Sequence, residues 1–149
     1  MTIMKTRIKK ALLGFTALLM GLAIFSFTSP LGGDTVEIFQ GDKLLLRQHI
    51  HIDKELKTIQ VAAQGEKVFV YYSHCGTNGQ SRKLTLRDES GQLVKTWTYP
   101  DAQGTAKSLM ECKIQEVMAV SNLRKGKMFL YYNSKEMGEE RKIAGIELK

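Results

Sequence analysis

From residue 34 to the end of the chain, apolar residues recur at every second position in run after run, separated by short turn-forming stretches. Side chains two apart project from one face of a strand, whereas a helical face needs spacings of three and four. The alternation therefore predicts strands. Thr35–Gln40 sets Val36 and Ile38 on one face, and Gln40-Gly41-Asp42-Lys43 supplies a glycine-containing turn into a second run, as a hairpin. In that second run Leu44, Leu46, Ile50 and Ile52 share a face with Gln48, opposite Lys43, Leu45, Arg47, His49 and His51. One face is expected in a core and the other in water.

Further strands are expected at 57–62, 67–73, 83–87, 93–99, 109–114, 127–133 and 142–148. In the strand at 93–99, Leu93, Trp97 and Tyr99 share one face and Pro100 ends the run. Asp101–Lys107 reads as an exposed loop. Ile114, Val117 and Met118 fall at helical spacing, so 115–122 is expected as one short helix, and Gly145 is the expected site of a bulge. Eight or nine short strands in about 115 residues fit a mainly β domain, a two-sheet antiparallel β-sandwich, immunoglobulin-like or similar. A small closed barrel is the alternative. A weak repeat relates Gly65–Tyr72 to Gly126–Tyr132, as central strands of the two sheets or simply as two core strands of similar composition.

The first 30 residues are of another kind. Lys5, Arg7, Lys9 and Lys10 precede residues 11–29, which carry no charge. A basic start followed by an apolar stretch marks a secretory leader, here a signal peptide or, if retained, an N-terminal membrane anchor in helical form. No A-x-A cleavage site stands at its end, and no Cys for acylation. Either outcome exports residues 34–149, as a single domain, to the periplasm or the cell exterior, touching the membrane only through 11–29. Four of the 22 basic residues and none of the 15 acidic ones lie before residue 34, which leaves the domain at +3. That balance and export argue against a nucleic-acid partner. Arg82-Lys83 and Arg124-Lys125-Gly126-Lys127 read as solvated turns, with contact to anionic lipid or glycan as the alternative.

Cys75 and Cys112 are the only cysteines. An even, sparse count in an oxidising compartment predicts a disulfide, whose closure would add about 4 kcal/mol in the chain-entropy model. Two buried free thiols are the other possibility. His49-Ile50-His51-Ile52-Asp53 offers alternate residues on one strand face, a spacing that lets His49, His51 and Asp53 hold Zn²⁺ or Cu²⁺. Lys43 and Arg47 share that face and oppose a cation, so solvent-facing strand residues are the plainer explanation.

In 68–72 and 128–132 both faces are apolar, yet a two-layer sandwich buries only one face of each sheet. Phe69, Tyr71, Phe129 and Tyr131 are then either covered, by the short helix and the 101–107 loop, or exposed as an aromatic platform for a glycan or protein partner in the envelope. Catalysis has little support. His74 adjoins Cys75, but neighbours on a strand point to opposite faces, and Ser73, Ser81 and Ser134 lack a nucleophile-elbow context. No cofactor motif is legible. The expectation is a non-enzymatic binding domain, with metal binding through His49 and His51, or a purely structural envelope role, as the alternatives.

The strand end Val70-Tyr71-Tyr72-Ser73-His74-Cys75-Gly76, with Phe129–Glu136, resembles a loose group of small exported bacterial proteins of no assigned function. In that group a YY-x-H-C-G strand end and an LYYSSKE-like stretch recur. The resemblance covers most of residues 34–149. It implies a free-standing secreted domain and brings no activity with it.

Overall fold

The computed structural model describes residues 33–51, 53, 55–64, 67–103, 108–119 and 126–149. The expected leader, 1–30, lies outside the described residues, as do Ile52, residues 104–107 of the expected loop, and the expected helix end at Asn122. The basic pair Arg124-Lys125 lies outside them too.

Among the described residues, nine strands and one short helix follow in the order β1 (Thr35–Gln40), β2 (Lys43–His49), β3 (Thr58–Val61), β4 (Val68–Ser73), β5 (Arg82–Asp88), β6 (Leu93–Tyr99), β7 (Leu109–Cys112), α1 (Ile114–Ala119), β8 (Lys127–Asn133) and β9 (Arg141–Leu148). The protein is mainly β. One sheet has the order β2-β1-β4-β7 and the other β3-β9-β8-β5-β6. Both contribute to one hydrophobic core, with Val36, Ile38, Val68, Val70 and Met110 from the first and Leu84, Leu86, Leu130, Ile143 and Ile146 from the second. β4 and β8, the strands of the weak repeat, are interior in their respective sheets. Their burial alternates strictly, with Val68, Val70 and Tyr72 inward on β4 and Met128, Leu130 and Tyr132 inward on β8. Among the described residues no helix is long and apolar enough to cross a membrane.

Pairing is antiparallel everywhere except β3 with β9, which run parallel from Thr58↔Gly145 to Val61↔Leu148. That departs from the antiparallel expectation. The reason is connectivity: β3 and β9 are joined by no hairpin, so nothing local sets their relative direction. The expected hairpin at 40–43 is present, closed by Gln40↔Lys43, with Gly41 at a positive φ of 55°.

Three bulges turn side chains that simple alternation assigns to the other face. Ile38 pairs with Leu46 but Phe39 with Leu44, so Leu45 is the extra residue. Leu44 is thereby moved out of the core face to 41% exposure, while Leu46 and Gln48 remain buried. Leu86 pairs with Lys95 but Arg87 with Leu93, which leaves Val94 as the extra residue. Leu93 is then 56% exposed although Trp97 is buried. Leu130 pairs with Ala144 but Tyr131 with Lys142, so the bulge in β9 falls at Ile143 and not at the expected Gly145. It lets Ile143 and Ala144, neighbours in sequence, both enter the core. Gly145 has a different role. A Cβ there would stand 2.6 Å from Thr58 Oγ1 and 3.0 Å from Lys127 Cε, so glycine permits β3 and the Lys127 side chain to close over it.

The helix spans Ile114–Ala119, and its buried residues Ile114 and Val117 belong to the core. Glu116 meets Lys95 of β6 at 2.9 Å. The helix therefore helps fill the core instead of lying over the outward aromatic rings.

The expected disulfide is not formed: both cysteines are free, Cys75 exposed and Cys112 buried. Sheet register explains why. Cys112 pairs with Val68 at the beginning of β4, whereas Cys75 lies two residues beyond its end at Ser73. Val68 and Ser73 alone are separated by about 17 Å along the strand, and a bridge needs Cα atoms within about 7 Å. Burial pushes the Cys112 thiol up to about 12, against a hydrogen bond with Tyr99 that lowers it. Alkylation of the unreduced native protein is expected to modify Cys75 alone, and unfolding in denaturant to release Cys112 as a second free thiol. Mass spectrometry reads both, and two unreactive cysteines in denaturant would show a bridge and refute this register.

Candidate functional site

At one end of the core, polar side chains from both sheets converge. Tyr72 of β4 and Tyr132 of β8 face inward by strand parity, and their rings stack with centroids 4.0 Å apart and planes 16° from parallel. These are equivalent positions of the two Tyr-Tyr pairs in the weak repeat. A buried tyrosine needs a partner for its hydroxyl. Tyr72 donates to Asp34 Oδ2 at 2.8 Å, and Arg141 Nη1 donates to the Tyr72 hydroxyl at 3.0 Å and to Asp34 Oδ2 at 3.2 Å. Asp34 Oδ1 also accepts from the Cys75 backbone N–H at 3.1 Å. His74 Nε2 lies 3.0 Å from the Tyr132 hydroxyl and 3.2 Å from Ser134 Oγ.

The electrostatics follow from these contacts. Burial raises the Asp34 carboxyl, but the Tyr72 hydroxyl, the Cys75 N–H, His74 and the Arg141 guanidinium outweigh it and hold it below its ordinary value of 3.8. Burial pushes Tyr132 up to about 12 and Tyr72 further, with the Asp34 carboxylate adding to the latter. Both phenols stay neutral and able to donate. Asp34, His74 and Arg141 also line a cavity of about 600 Å³ together with Thr77 and the β8–β9 connection Glu136–Glu140.

Asp34, His74 and Ser134 follow one another in the order of an acid, a base and a nucleophile, but the geometry does not arm them. Asp34 Oδ2 stands 3.7 Å from His74 Nδ1, beyond a hydrogen bond. Ser134 is only 3% exposed, and its imidazole partner is shared with Tyr132. What the cluster does chemically is tie the chain before β1, the end of β4, the end of β8 and the start of β9 to one another. No local pattern in the sequence marks it, because Asp34 and Arg141 are 107 residues apart. The available signal was the second tyrosine of each Tyr-Tyr pair, which falls on core parity.

The histidine candidates are not brought together on one strand face. β2 ends at His49, and His51 lies in the turn that follows. His49 Nδ1 is 3.1 Å from Thr35 Oγ1, and Asp53 Oδ2 accepts from the His49 backbone N–H at 2.9 Å. Asp53 thus caps the strand end. Among the described residues no group of three or more His, Cys, Asp or Glu side chains is placed to hold a metal ion.

The aromatic candidates divide between two surfaces. Phe69 and Tyr71 lie on the outer face of the four-stranded sheet, and Phe129 and Tyr131 on that of the five-stranded sheet. On the first, Phe39 stands opposite Phe69 and Leu44, while Tyr71 stands opposite Glu37 and Leu109. Phe39 and Tyr71 meet edge to face at 5.6 Å. Glu37, Phe39, Gly41, Asp42, Phe69 and Tyr71 enclose a shallow groove of about 340 Å³. Charges border it, Arg47 pairing with Glu37 at 2.8 Å and Lys67 with Glu111 at 3.1 Å. On the second surface, basic side chains lie against the rings.

No protein-family model matches the chain, and no curated protein matches it in sequence.

Replacing Asp34 by Asn should destabilise the fold by about 2 kcal/mol at neutral pH, because charge-assisted hydrogen bonds from Tyr72 and Arg141 are lost. The sign with pH follows from the lowered carboxyl. Its contribution is complete above the ordinary value of 3.8 and disappears as pH falls through the lower folded-state value. Urea unfolding of both proteins at neutral and acid pH measures this, and a stability gap independent of pH would contradict it.

Proposed function

We propose that residues 34–149 are an exported, non-enzymatic binding domain of the cell envelope, which takes a glycan on the outer face of its four-stranded sheet. The observation that carries this reading is the apolar surface of that face. Leu44 and Leu109, 41% and 47% exposed, flank Phe39, Phe69 and Tyr71, which are only partly covered. Surfaces of this kind on a β domain are characteristic of partner binding. Rings presented edge and face to a groove stack on the C–H faces of sugars, and the exposed carboxylate of Asp42 at the groove supplies an acceptor for hydroxyl groups. Export rests on the basic residues Lys5–Lys10 and the uncharged stretch 11–29.

The scaffold is read as an immunoglobulin-like β-sandwich. Its strand order supports this: the N-terminal strands are shared between the sheets, β1 antiparallel to β4 and β3 parallel to the final strand β9, and the chain crosses between sheets at β2–β3, β3–β4, β4–β5, β6–β7 and β7–β8. In antibody domains a disulfide joins two central strands of opposite sheets. Here the Tyr72–Tyr132 stack links the central strands β4 and β8.

Phe69→Ala and Tyr71→Ala, made separately, are each expected to weaken binding to a neutral envelope polysaccharide by tenfold or more, about 1.4 kcal/mol. Both side chains project away from the core, so the melting temperature should change little. Affinity electrophoresis and thermal unfolding read the two effects. Binding left intact by both substitutions would reject the groove. Absence of glycan binding together with retention of a protein partner that depends on Phe69 would replace the glycan by a protein.

A further inference from the structure

The outer face of the five-stranded sheet gathers cations that are remote in sequence. We propose that it is a second docking surface, for a polyanionic glycan, independent of the groove on the other sheet. Lys83 and Arg87 stand on β5 directly opposite Asn133 and Phe129 of β8, and Lys142 of β9 stands opposite Tyr131. Residues paired in this way share a face, and Lys127 has the same parity as Phe129 and Tyr131. Four basic side chains therefore project from three adjacent strands around two aromatic rings. Lys142 Nζ lies 4.1 Å from the centre of the Phe129 ring and 5.5 Å from that of Tyr131. Arg87 lies 5.6 Å from Tyr131, and Lys127 5.7 Å from Phe129.

A ring beneath an ammonium or guanidinium group holds its position without neutralising its charge. The side chains are thus ordered in advance, which lowers the entropic cost of engaging an anion. Two carboxylates oppose them: Glu140, which meets Arg87 at 3.1 Å, and Glu147, opposite Lys127. Positive charge remains in excess. Arg82 makes no contribution, because its side chain turns inward and donates to the carbonyls of Pro100 and Ser108.

The shape fits a chain lying across strands. Lys83 and Arg87 are about 13 Å apart along β5, and β5 and β9 are separated by about 10 Å. Exposed Thr96 and Thr98 stand opposite Thr85 and Lys83, adding hydroxyl groups to the same face. Gly145, which has no side chain, allows Lys127 to lie close over β9. A membrane surface fits less well. It takes up an apolar face beneath its headgroups, and here Leu93 at the β6 edge is the one strongly exposed large apolar residue among the described residues of this face.

The test is binding of the purified full chain to dextran sulfate and to polygalacturonate, with neutral dextran and anionic phospholipid vesicles alongside, at several salt concentrations. Both polyanions are expected to bind, with affinity falling as salt rises. The double substitution Lys127→Glu, Lys142→Glu should weaken that binding by tenfold or more. Lys43→Glu with Lys113→Glu changes net charge equally at exposed positions elsewhere and should have a much smaller effect. Phe69→Ala should leave polyanion binding unchanged, which separates this surface from the glycan groove. Equal losses in the two double variants would reduce the effect to net charge and overturn the proposal. Failure to bind either polyanion at low salt would overturn it too, as would binding confined to vesicles.

Discussion

The packing of Tyr72 on Tyr132 is the contact on which one end of the molecule depends. Two rings from opposite sheets lie nearly parallel at 4.0 Å, and each hydroxyl is satisfied by groups from other elements. Taking two phenols into a core is favourable only when their oxygens find partners, so the stack and the Asp34–Arg141–His74–Ser134 shell require one another. Asp34 precedes β1 and Arg141 opens β9, so the network draws distant parts of the chain to one place. Gly79 shows how tightly the region closes: a Cβ there would stand 2.7 Å from the Tyr132 hydroxyl.

Elsewhere the sheets are linked by simpler means. Gln40 at the end of β1 forms a reciprocal amide pair with the backbone of Ala62 just after β3, donating to its carbonyl and accepting from its N–H, both at 3.0 Å. Tyr99 of β6 donates to the Glu111 carbonyl of β7 at 2.6 Å. Burial raises the Tyr99 phenol well above its ordinary range, so it too remains a donor. The core between is apolar, and polar pairs at its margin fix which strand ends meet. With the sheets held in this way, their outer faces are left to differ. One carries aromatic rings and leucines beside two ion pairs, and the other carries rings overlaid by lysine and arginine.

The strands were legible because burial on one face imposes a period of two, and β1, β6 and β8 fall where alternation placed them. The bulges were not. An extra residue at Leu45, Val94 or Ile143 leaves the local composition unchanged but reverses the face of everything beyond it. This is why Leu44, assigned to the core by pattern, and Leu93, set on one face with Trp97, are exposed. The cysteines failed as a guide for a related reason. Their even count spoke for a bridge, but the register of β4 with β7 sets Cys112 and Cys75 toward opposite ends of one strand. The histidines failed because β2 stops at His49, capped by Asp53, before the alternation reaches His51.

By itself the sequence determined a mainly β domain, its hairpin at Gly41, its inward residues on the central strands, and the presence of outward aromatic rings that one buried face could not absorb. Each of these depends on spacing between near neighbours. Only the tertiary structure decided that Tyr72 meets Tyr132, that Phe69 and Phe129 belong to different surfaces, and that Lys83, Lys127 and Lys142 share one. Those relations are set by strand order and register, which arise from packing between residues tens of positions apart and leave no periodic trace in the chain.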